Sequence, residues 1–275
     1  MKVQLKTPAR LLTALGAALM ALVLMAPMAQ GATPAPGYTQ FAGCPDQEEN
    51  SATTVCLRSE INGGHFQMGS KTVPITDPIV LSGGADENLD GFDASPAGGL
   101  APNKQQVPGG VIGITGLDWL VNFLGIEQLK LYAETQLVGT PDIDFTEVKL
   151  PIRVRLINPV LGNSCYVGSP SEPIMLNLTT GTTEPPPPNE PISGTFPSFE
   201  FDEGTGILKL NDGVYVDNEF AAPGANGCKL TLLGLLPINL NPLVNLQAGL
   251  PSPAGTNETV QNFDAEFAPQ ELVYP

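Results

Sequence analysis

Histidine and positive charge are scarce in this chain. It contains one histidine, His65, and twelve Lys and Arg residues against 28 Asp and Glu, for a net charge of −16. A single imidazole argues against histidine-based metal sites and Ser-His-Asp triads. Because nucleic-acid binding needs cations that neutralise a run of phosphates, that function is excluded too. His65 lies beside an apolar run and is interpreted as structural, with a general base as the alternative.

Catalytic motifs and aromatic residues are also few. The sequence has no Gly-x-Ser-x-Gly elbow and no Walker or Rossmann glycine pattern. Two carboxylate pairs, Asp142 with Asp144 and Glu200 with Asp202, have the i, i+2 spacing that places both groups on one face of a strand, as glycoside hydrolysis would need. Aromatic residues make up only 6% of the chain, a poor basis for stacking sugar rings. We therefore predict a protein that is not an enzyme, with a carboxylate-dependent hydrolase as an alternative.

Residues 1–31 have the pattern of a secretory signal peptide. Three cations precede an apolar stretch at 11–26, and small residues then favour cleavage before Ala32. The alternative is an uncleaved anchor helix. A lipoprotein is disfavoured because the first cysteine, Cys44, lies far beyond the apolar stretch. Removal of the signal would leave nine cations against 28 acidic groups, a charge of −19, and we expect a secreted or cell-wall-associated protein.

The four cysteines, Cys44, Cys56, Cys165 and Cys228, suggest two disulfides in an exported chain. Three connectivities are possible. We predict Cys44–Cys56 and Cys165–Cys228, because the first two lie close together in one N-terminal segment. The alternative is four free thiols.

Short apolar runs separated by turn residues indicate a β-rich fold. Gly and Pro together number 58, about a fifth of the chain against a usual ~12%. From Val148 to Leu156 apolar residues alternate with other types, as in a strand with one face in the core. Pro151 within this run predicts an edge position or a bulge. The fold class expected is mainly β, an antiparallel β-sandwich-like and disulfide-stapled body with one or two short apolar helices, the best helix candidate being 117–124.

The mature chain is expected to form one domain. Residues 32–40 are predicted to be a flexible lead-in, and 41–275 a single β-rich domain. The proline-rich segment 184–191 suggests a polyproline II conformation. If Cys165 pairs with Cys228, this segment lies inside a closed covalent loop and is a strap on one body; the alternative is a hinge between two domains.

An acidic segment has partial calcium-loop spacing. Asp86, Asn88, Asp90 and Asp93 surround a glycine turn, and oxygen ligands at alternate positions suit calcium. The twelfth position is Ala97 rather than the expected glutamate, and no amphipathic helix precedes the loop. A true EF-hand is therefore excluded. The cofactor prediction is none, with a non-EF calcium site as the alternative to a solvated loop.

Two segments, 111–124 and 232–250, hold much of the aliphatic content. They predict either a cavity for an apolar ligand, with Trp119, Leu120 and Phe123 as candidate contacts, or an exposed adhesive patch. The third interpretation is a layer that closes the core.

Several phrases in the C-terminal half resemble a family of secreted actinobacterial proteins of unassigned function. They are NPVLGNSCYVG at 158–168, NLTTGTT at 177–183, PPPPNEPISG at 185–194, VDNEF at 216–220, PGANGC at 223–228 and GLPSPAG at 249–255. The resemblance implies export and a shared fold, and supplies no catalytic residues. It places Cys165 and Cys228 in motif-like surroundings, which fits their pairing.

The functional prediction is a secreted, non-catalytic protein associated with the cell envelope, in a structural or interaction role. The alternative from another class is an extracellular carrier of a lipid or other apolar small molecule. The partner is accordingly an envelope component or an apolar ligand.

Overall fold

The computed structural model describes residues 32–110, 130–158, 161–232 and 236–275. The predicted signal peptide at 1–31 and the predicted helix at 117–124 lie outside these ranges. The described residues belong to one compact unit.

Strands dominate the described residues, and the fold is mainly β as predicted. In chain order the strands are β1 (Val55–Met68), β2 (Lys71–Pro74), β3 (Ile79–Ala85), β4 (Gly99–Leu100), β5 (Lys104–Val107), β6 (Leu131–Leu137), β7 (Asp142–Ile143), β8 (Glu147–Ile157), β9 (Tyr166–Val167), β10 (Ile174–Thr179), β11 (Ser198–Asp202), β12 (Ile207–Asp217), β13 (Ala225–Asn226), β14 (Lys229–Leu232), β15 (Leu236–Asn239) and β16 (Glu258–Pro269). Two short helices accompany them, α1 (Asn241–Ala248) and α2 (Gln270–Val273), with a 3-10 turn at Thr39–Phe41.

Fourteen of these strands form one antiparallel sheet, and β14 pairs with β15 separately. The main path runs β4-β3-β1-β16-β12-β10-β8-β9-β13, with β6 beside β8, β5 beside β6 and β11 beside β12. In the described part of the chain one register pair, Thr179 with Val216, joins β10 to β12. The junction between the two halves of the sheet is therefore narrow.

The sheet folds over on itself at this junction. β1 and β8 are separated in the strand order by three strands, yet Ile61 of β1 and Ile152 of β8 border the same cavity. The two faces of the sandwich-like body are thus the two halves of one curled sheet. Along β8 and β10 the alternating apolar residues point into the space between them.

Strand β8 has the alternation expected from the sequence, with Val148, Leu150, Ile152, Val154 and Leu156 all buried. Its position differs from the expectation based on Pro151, because β8 lies between β10 on one side and β6 and β7 on the other. The proline is accommodated where the neighbouring strand changes: β6 ends at Leu137 and β7 begins at Asp142. The Pro151 carbonyl accepts the N–H of Val138 at 2.9 Å. The N–H and C=O groups of one residue in an antiparallel strand point to the same side. The position where Pro151 lacks an N–H therefore faces the gap between β6 and β7.

The register of β1 against β16 shifts between Ile61 and Gly63. Gly64 follows with φ +103°, and a Cβ there would collide with the carbonyl of Val260. Only glycine suits this backbone position, because other L residues avoid positive φ. The irregularity lies two residues before Phe66, which borders the cavity described below.

Both predicted disulfides are present, Cys44–Cys56 and Cys165–Cys228. The disulfide Cys44–Cys56 belongs to a small hydrophobic cluster that includes Phe41 and Val273. The second is buried in the main core, which lies between the halves of the sheet. With sequence separations of 12 and 63 residues, chain entropy gives stabilisations of about 3 and about 4 kcal/mol.

The lead-in predicted to be flexible at 32–40 is hydrogen-bonded to the domain. Ala35 donates its N–H to the Val273 carbonyl at 2.8 Å, and the Tyr38 hydroxyl donates to the Thr205 carbonyl at 2.6 Å. These contacts attach the N-terminal residues to the end of the sheet.

The segment 184–191 is hydrogen-bonded to the rest of the domain. The side-chain amide of Asn189 donates to the carbonyls of Asn218 and Asn257 at 3.0 and 2.8 Å. Asn218 in turn donates to the carbonyl of Glu190 at 2.8 Å. These hydrogen bonds connect the segment to residues beside β12 and β16, and its role as a strap or a hinge stays a prediction.

Membrane crossing was also considered for the helices. Within the described ranges, none has the length and hydrophobicity that a membrane span would need.

Candidate functional site

The largest cavity described lies between the two halves of the sheet. Its volume is about 330 Å³, and its walls are almost entirely aliphatic. Residues from ten of the described strands border it, among them Ile61, Met68, Val73, Val107, Leu131 and Ile152. Volume and lining both fall within the range of small-molecule binding sites, which are concave and mostly apolar.

The alternating apolar residues of β8 form one wall of the cavity. Leu150, Ile152, Val154 and Leu156 all point inward and all border the cavity. On the neighbouring strand β10, Leu176 adds to the same wall. The hydrophobic pattern read from the sequence as core packing is thus also the pattern that makes the cavity.

Helix α1 forms part of another wall. Leu243, Val244, Gln247 and Ala248 border the cavity, with a spacing that places them along one stripe of the helix. Pro242 lies in the first turn, where its missing N–H is tolerated, and Gly249 ends the helix with φ +68°. Pro242 therefore begins a helix within the apolar segment 232–250.

Two asparagines attach α1 to the body. The Asn241 side-chain oxygen accepts the N–H of Cys228 at 2.8 Å, and that of Asn245 accepts the N–H of Ala225 at 2.6 Å. Since Cys228 is held by its disulfide, the helix has a covalently fixed support.

Few polar groups border the cavity. Gln105 is buried, and both ends of its side-chain amide form hydrogen bonds. Its oxygen accepts the N–H of Thr76 at 2.9 Å, and its nitrogen donates to the Asp77 carbonyl at 2.7 Å. Gln261 is buried and donates to the Thr259 hydroxyl at 3.1 Å, but its Oε1 has no partner among the described residues. Lys71 is the charged residue of the described lining.

The apolar contacts predicted from the sequence divide into two groups. Trp119, Leu120 and Phe123 lie outside the described residues. From the second segment, 232–250, Leu240 and Leu250 join the α1 residues at the cavity. Sequence reasoning missed the strand residues, because alternating Leu, Ile and Val have the same signature whether they face a packed core or a cavity.

The acidic loop uses its carboxylates internally. Asp86 Oδ1 accepts the N–H groups of Asn88 and Asp90 at 2.8 and 3.0 Å. The Asp93 carboxylate accepts the Asn50 side-chain amide at 2.9 Å and its neighbour's N–H at 2.8 Å. Within the described ranges, no group of three or more His, Cys, Asp and Glu side chains is placed to hold a metal ion. A calcium site in this loop stays the alternative to the prediction of no cofactor.

The carboxylate pairs are exposed and engaged locally. Asp142 accepts the Lys149 ammonium at 3.1 Å, and this hydrogen bond raises the pKa of Lys149. Asp144 accepts the N–H of Thr146 at 3.0 Å. On β11, Asp202 accepts the N–H of Gly204 at 2.9 Å. None of these carboxylates borders the cavity as described.

His65 lies on β1 with its Nε2 3.0 Å from Oε1 of Glu258 on β16. Each side chain is about one-third exposed, so this is a partly solvated cross-strand pair. Both interpretations of this histidine, structural residue and general base, stay predictions.

A second apolar feature was not anticipated from the sequence. Four exposed phenylalanines, Phe145, Phe196, Phe199 and Phe201, form an aromatic patch beside β11. The rings of Phe196 and Phe199 have centroids 5.3 Å apart, and Phe145 lies 6.4 Å from Phe199. Residues 145 and 196 are distant in sequence, so only the fold brings them together.

Comparison with protein-family models, with curated proteins and with solved structures finds no match. The resemblance to secreted actinobacterial proteins therefore stays a prediction. The functional assignment rests on the geometry of the described residues.

Proposed function

We propose that this protein is a secreted, non-catalytic binding protein that carries a lipid or other apolar small molecule at the cell envelope. The observation that supports this function best is the aliphatic cavity of about 330 Å³ between the halves of the sheet. Packed protein interiors rarely contain voids larger than a water molecule. A cavity of this size at the centre of the fold therefore favours an occupant.

The volume indicates the size of the ligand. An engineered cavity of about 150 Å³ binds benzene. The cavity here is roughly twice as large, which suits a chain or fused ring system of about a dozen carbon atoms. The aliphatic walls favour burial of hydrocarbon, and the unpartnered Oε1 of Gln261 would favour a ligand that bears a hydroxyl or amide donor.

Secretion is part of the proposal. The predicted signal peptide and the two disulfides support it, because disulfides persist in oxidising compartments. A carrier outside the cell would need a closed apolar site, since its cargo is poorly soluble in water.

A fluorescence titration with aminoanthracene, an apolar three-ring probe, tests the function. Ala133 borders the cavity, and Ala133→Leu places extra methyl groups in it. We expect this variant to bind the probe about tenfold more weakly than wild type, the equivalent of about 1.4 kcal/mol. Ala52→Leu, in an exposed turn, is the matched control and should bind like wild type.

Native mass spectrometry of protein secreted by its own host provides the second measurement. A co-purified apolar molecule of matching size would identify the ligand. Consistent absence of such a molecule, together with equal probe binding by wild type and Ala133→Leu, would refute the carrier function.

The aromatic patch supports a second candidate function, an interaction protein of the envelope. Strand β11 pairs with β12 on one side and is an edge strand in the described sheet. Exposed edges and contiguous apolar side chains are typical of interaction sites. Cross-linking of envelope fractions with wild type and with Phe199→Ser tests this candidate, which fails if the cross-linked species are unchanged.

A further inference from the structure

Exposed aliphatic residues concentrate where β15 and α1 meet. Ile238 on β15 is 42% exposed, and Leu243 and Leu246 on α1 are 49% and 80% exposed. Leu243 and Leu246 are three positions apart and so neighbour each other on the helix surface. We call these three residues the docking face.

The docking face lies in a long uncharged stretch. Residues 230–257 contain no Asp, Glu, Lys, Arg or His, although the chain as a whole has a net charge of −16. A solvated surface in so acidic a protein would ordinarily carry some of that charge. Exposed aliphatic side chains within a segment that carries no charge are typical of a surface that is buried against something apolar.

The docking face is continuous with the cavity. Leu243 both borders the cavity and is half exposed, so the cavity wall reaches the surface at this side chain. On the same helix, Val244 and Ala248 face inward while Leu246 faces outward. One short helix thus separates the apolar interior from an apolar exterior.

We propose that the docking face binds an uncharged lipid surface, and that the apolar ligand passes between this surface and the cavity beside Leu243. The inference rests on the proposed carrier function. An apolar ligand that crosses water exposes its hydrocarbon, and direct contact between the mouth of a cavity and a lipid surface removes that barrier. Shallow, reversible binding to a lipid surface scales with the apolar area buried, and these three exposed side chains would supply that area.

The net negative charge of the protein determines which lipids the docking face can bind. Repulsion between a strongly acidic protein and anionic lipid disfavours binding to negatively charged surfaces. An uncharged face is suited to zwitterionic or neutral lipids instead. The aromatic patch fits this role less well, because its strand β11 also carries Glu200 and Asp202, both exposed.

Flotation with phosphatidylcholine vesicles tests the proposal, using wild type, Leu246→Gln and Phe201→Gln. Leu246 is exposed and does not border the cavity as described, so the substitution should leave the domain folded. Loss of one inserted leucine should lower the partition coefficient about tenfold. Phe201→Gln removes an exposed apolar residue of the aromatic patch and should bind like wild type.

Replacing part of the lipid with phosphatidylglycerol should weaken binding at low salt.

The outcomes separate docking from ligand binding. Leu246→Gln should bind aminoanthracene as wild type does in the absence of vesicles, and should deliver it to vesicles more slowly. The docking proposal is overturned if wild type binds the probe but no vesicles, if Phe201→Gln rather than Leu246→Gln loses vesicle binding, or if anionic lipid strengthens binding. Failure of wild type to bind the probe would instead overturn the carrier function.

Discussion

The backbone N–H of Ala32 donates a hydrogen bond to Oδ2 of Asp46, with 2.9 Å between the two atoms. The other carboxylate oxygen accepts the N–H groups of Glu48 and Glu49 at 2.8 and 2.9 Å. Hydrogen bonds from Ala32 above all, and from Glu49 and Glu48, hold the pKa of Asp46 below its ordinary value of 3.8. Cleavage before Ala32, as the sequence predicts, would turn this donor into an ammonium group and the contact into an ion pair.

We expect Asp46→Asn to lower the melting temperature at neutral pH and to have less effect in strong acid. A carboxyl whose pKa is lower in the folded state contributes stability above its ordinary pKa of 3.8, and loses it as the pH falls through the folded value. Thermal unfolding of wild type and variant across this range is the measurement. Glu203→Gln, in an exposed turn, is the control. A difference that grows with acidity would contradict the assignment.

Asp217 should show the opposite pH dependence. It is fully buried and accepts the N–H groups of Asn177 and Glu219 at 2.6 and 2.8 Å. Burial raises the pKa of Asp217 in spite of these hydrogen bonds. A raised folded pKa means that the folded state holds its proton to higher pH, so wild type should lose stability relative to Asp217→Asn as the pH rises from about 3.8 through the folded value.

The difference in stability between wild type and Asp217→Asn at acidic pH is also predictable. Asparagine offers one acceptor oxygen in place of two, so Asp217→Asn should be less stable than wild type by about 1–3 kcal/mol at the acidic end. Denaturant titrations at several pH values measure both the offset and its slope. A gap between the two proteins that widens with rising pH would show that the sign is wrong.

Removal of the second disulfide should be the more damaging of the two disulfide deletions. Replacing Cys165 and Cys228 with serine opens the longer loop, at about 4 kcal/mol, against about 3 kcal/mol for Cys44 and Cys56. The loss also loosens the support of α1 at Cys228, so aminoanthracene binding should weaken as well. Alkylation of non-reduced protein followed by peptide mapping should find no free thiol, and four alkylated cysteines would contradict the architecture.

Enlarging the cavity should destabilise the protein in a way that a ligand reverses. Ile152 is fully buried and borders the cavity, so Ile152→Ala should lower the free energy of unfolding by about 2–5 kcal/mol. Saturating dodecanol should restore part of this loss, because a ligand that binds the folded state alone stabilises it. Ala268 is equally buried but does not border the cavity; Ala268→Gly should not respond to dodecanol.

Calcium should have little effect on this protein. The Asp86 carboxylate accepts two backbone N–H groups of its own turn. We therefore expect no heat in a calorimetric titration and no shift of the melting temperature at millimolar calcium. Asp86→Ala should lower stability equally with and without the ion. A calcium-induced shift that Asp90→Ala abolishes would establish the site that the sequence suggested.

The sequence predicted the β-rich class and the Cys44–Cys56 pair from local signals, and the pair Cys165–Cys228 follows once the first is assigned. The alternation from Val148 to Leu156 reports which side of a strand is buried, and this burial was confirmed. Pro151 predicted an edge position or a bulge; β8 is an interior strand, but the missing N–H faces the gap between β6 and β7, which the sequence around Pro151 does not reveal.

What the sequence determined by itself is the periodicity of its strands, the positions of its turns, its acidity and the uncharged stretch at 230–257. Only the tertiary structure decided that the sheet curls, that the inward faces of β1 and β8 stop short of filling the space between them, and that α1 lies at its edge. The physical reason is that a hydrophobic pattern specifies which residues avoid water, while packing distances decide whether they meet one another or enclose a cavity.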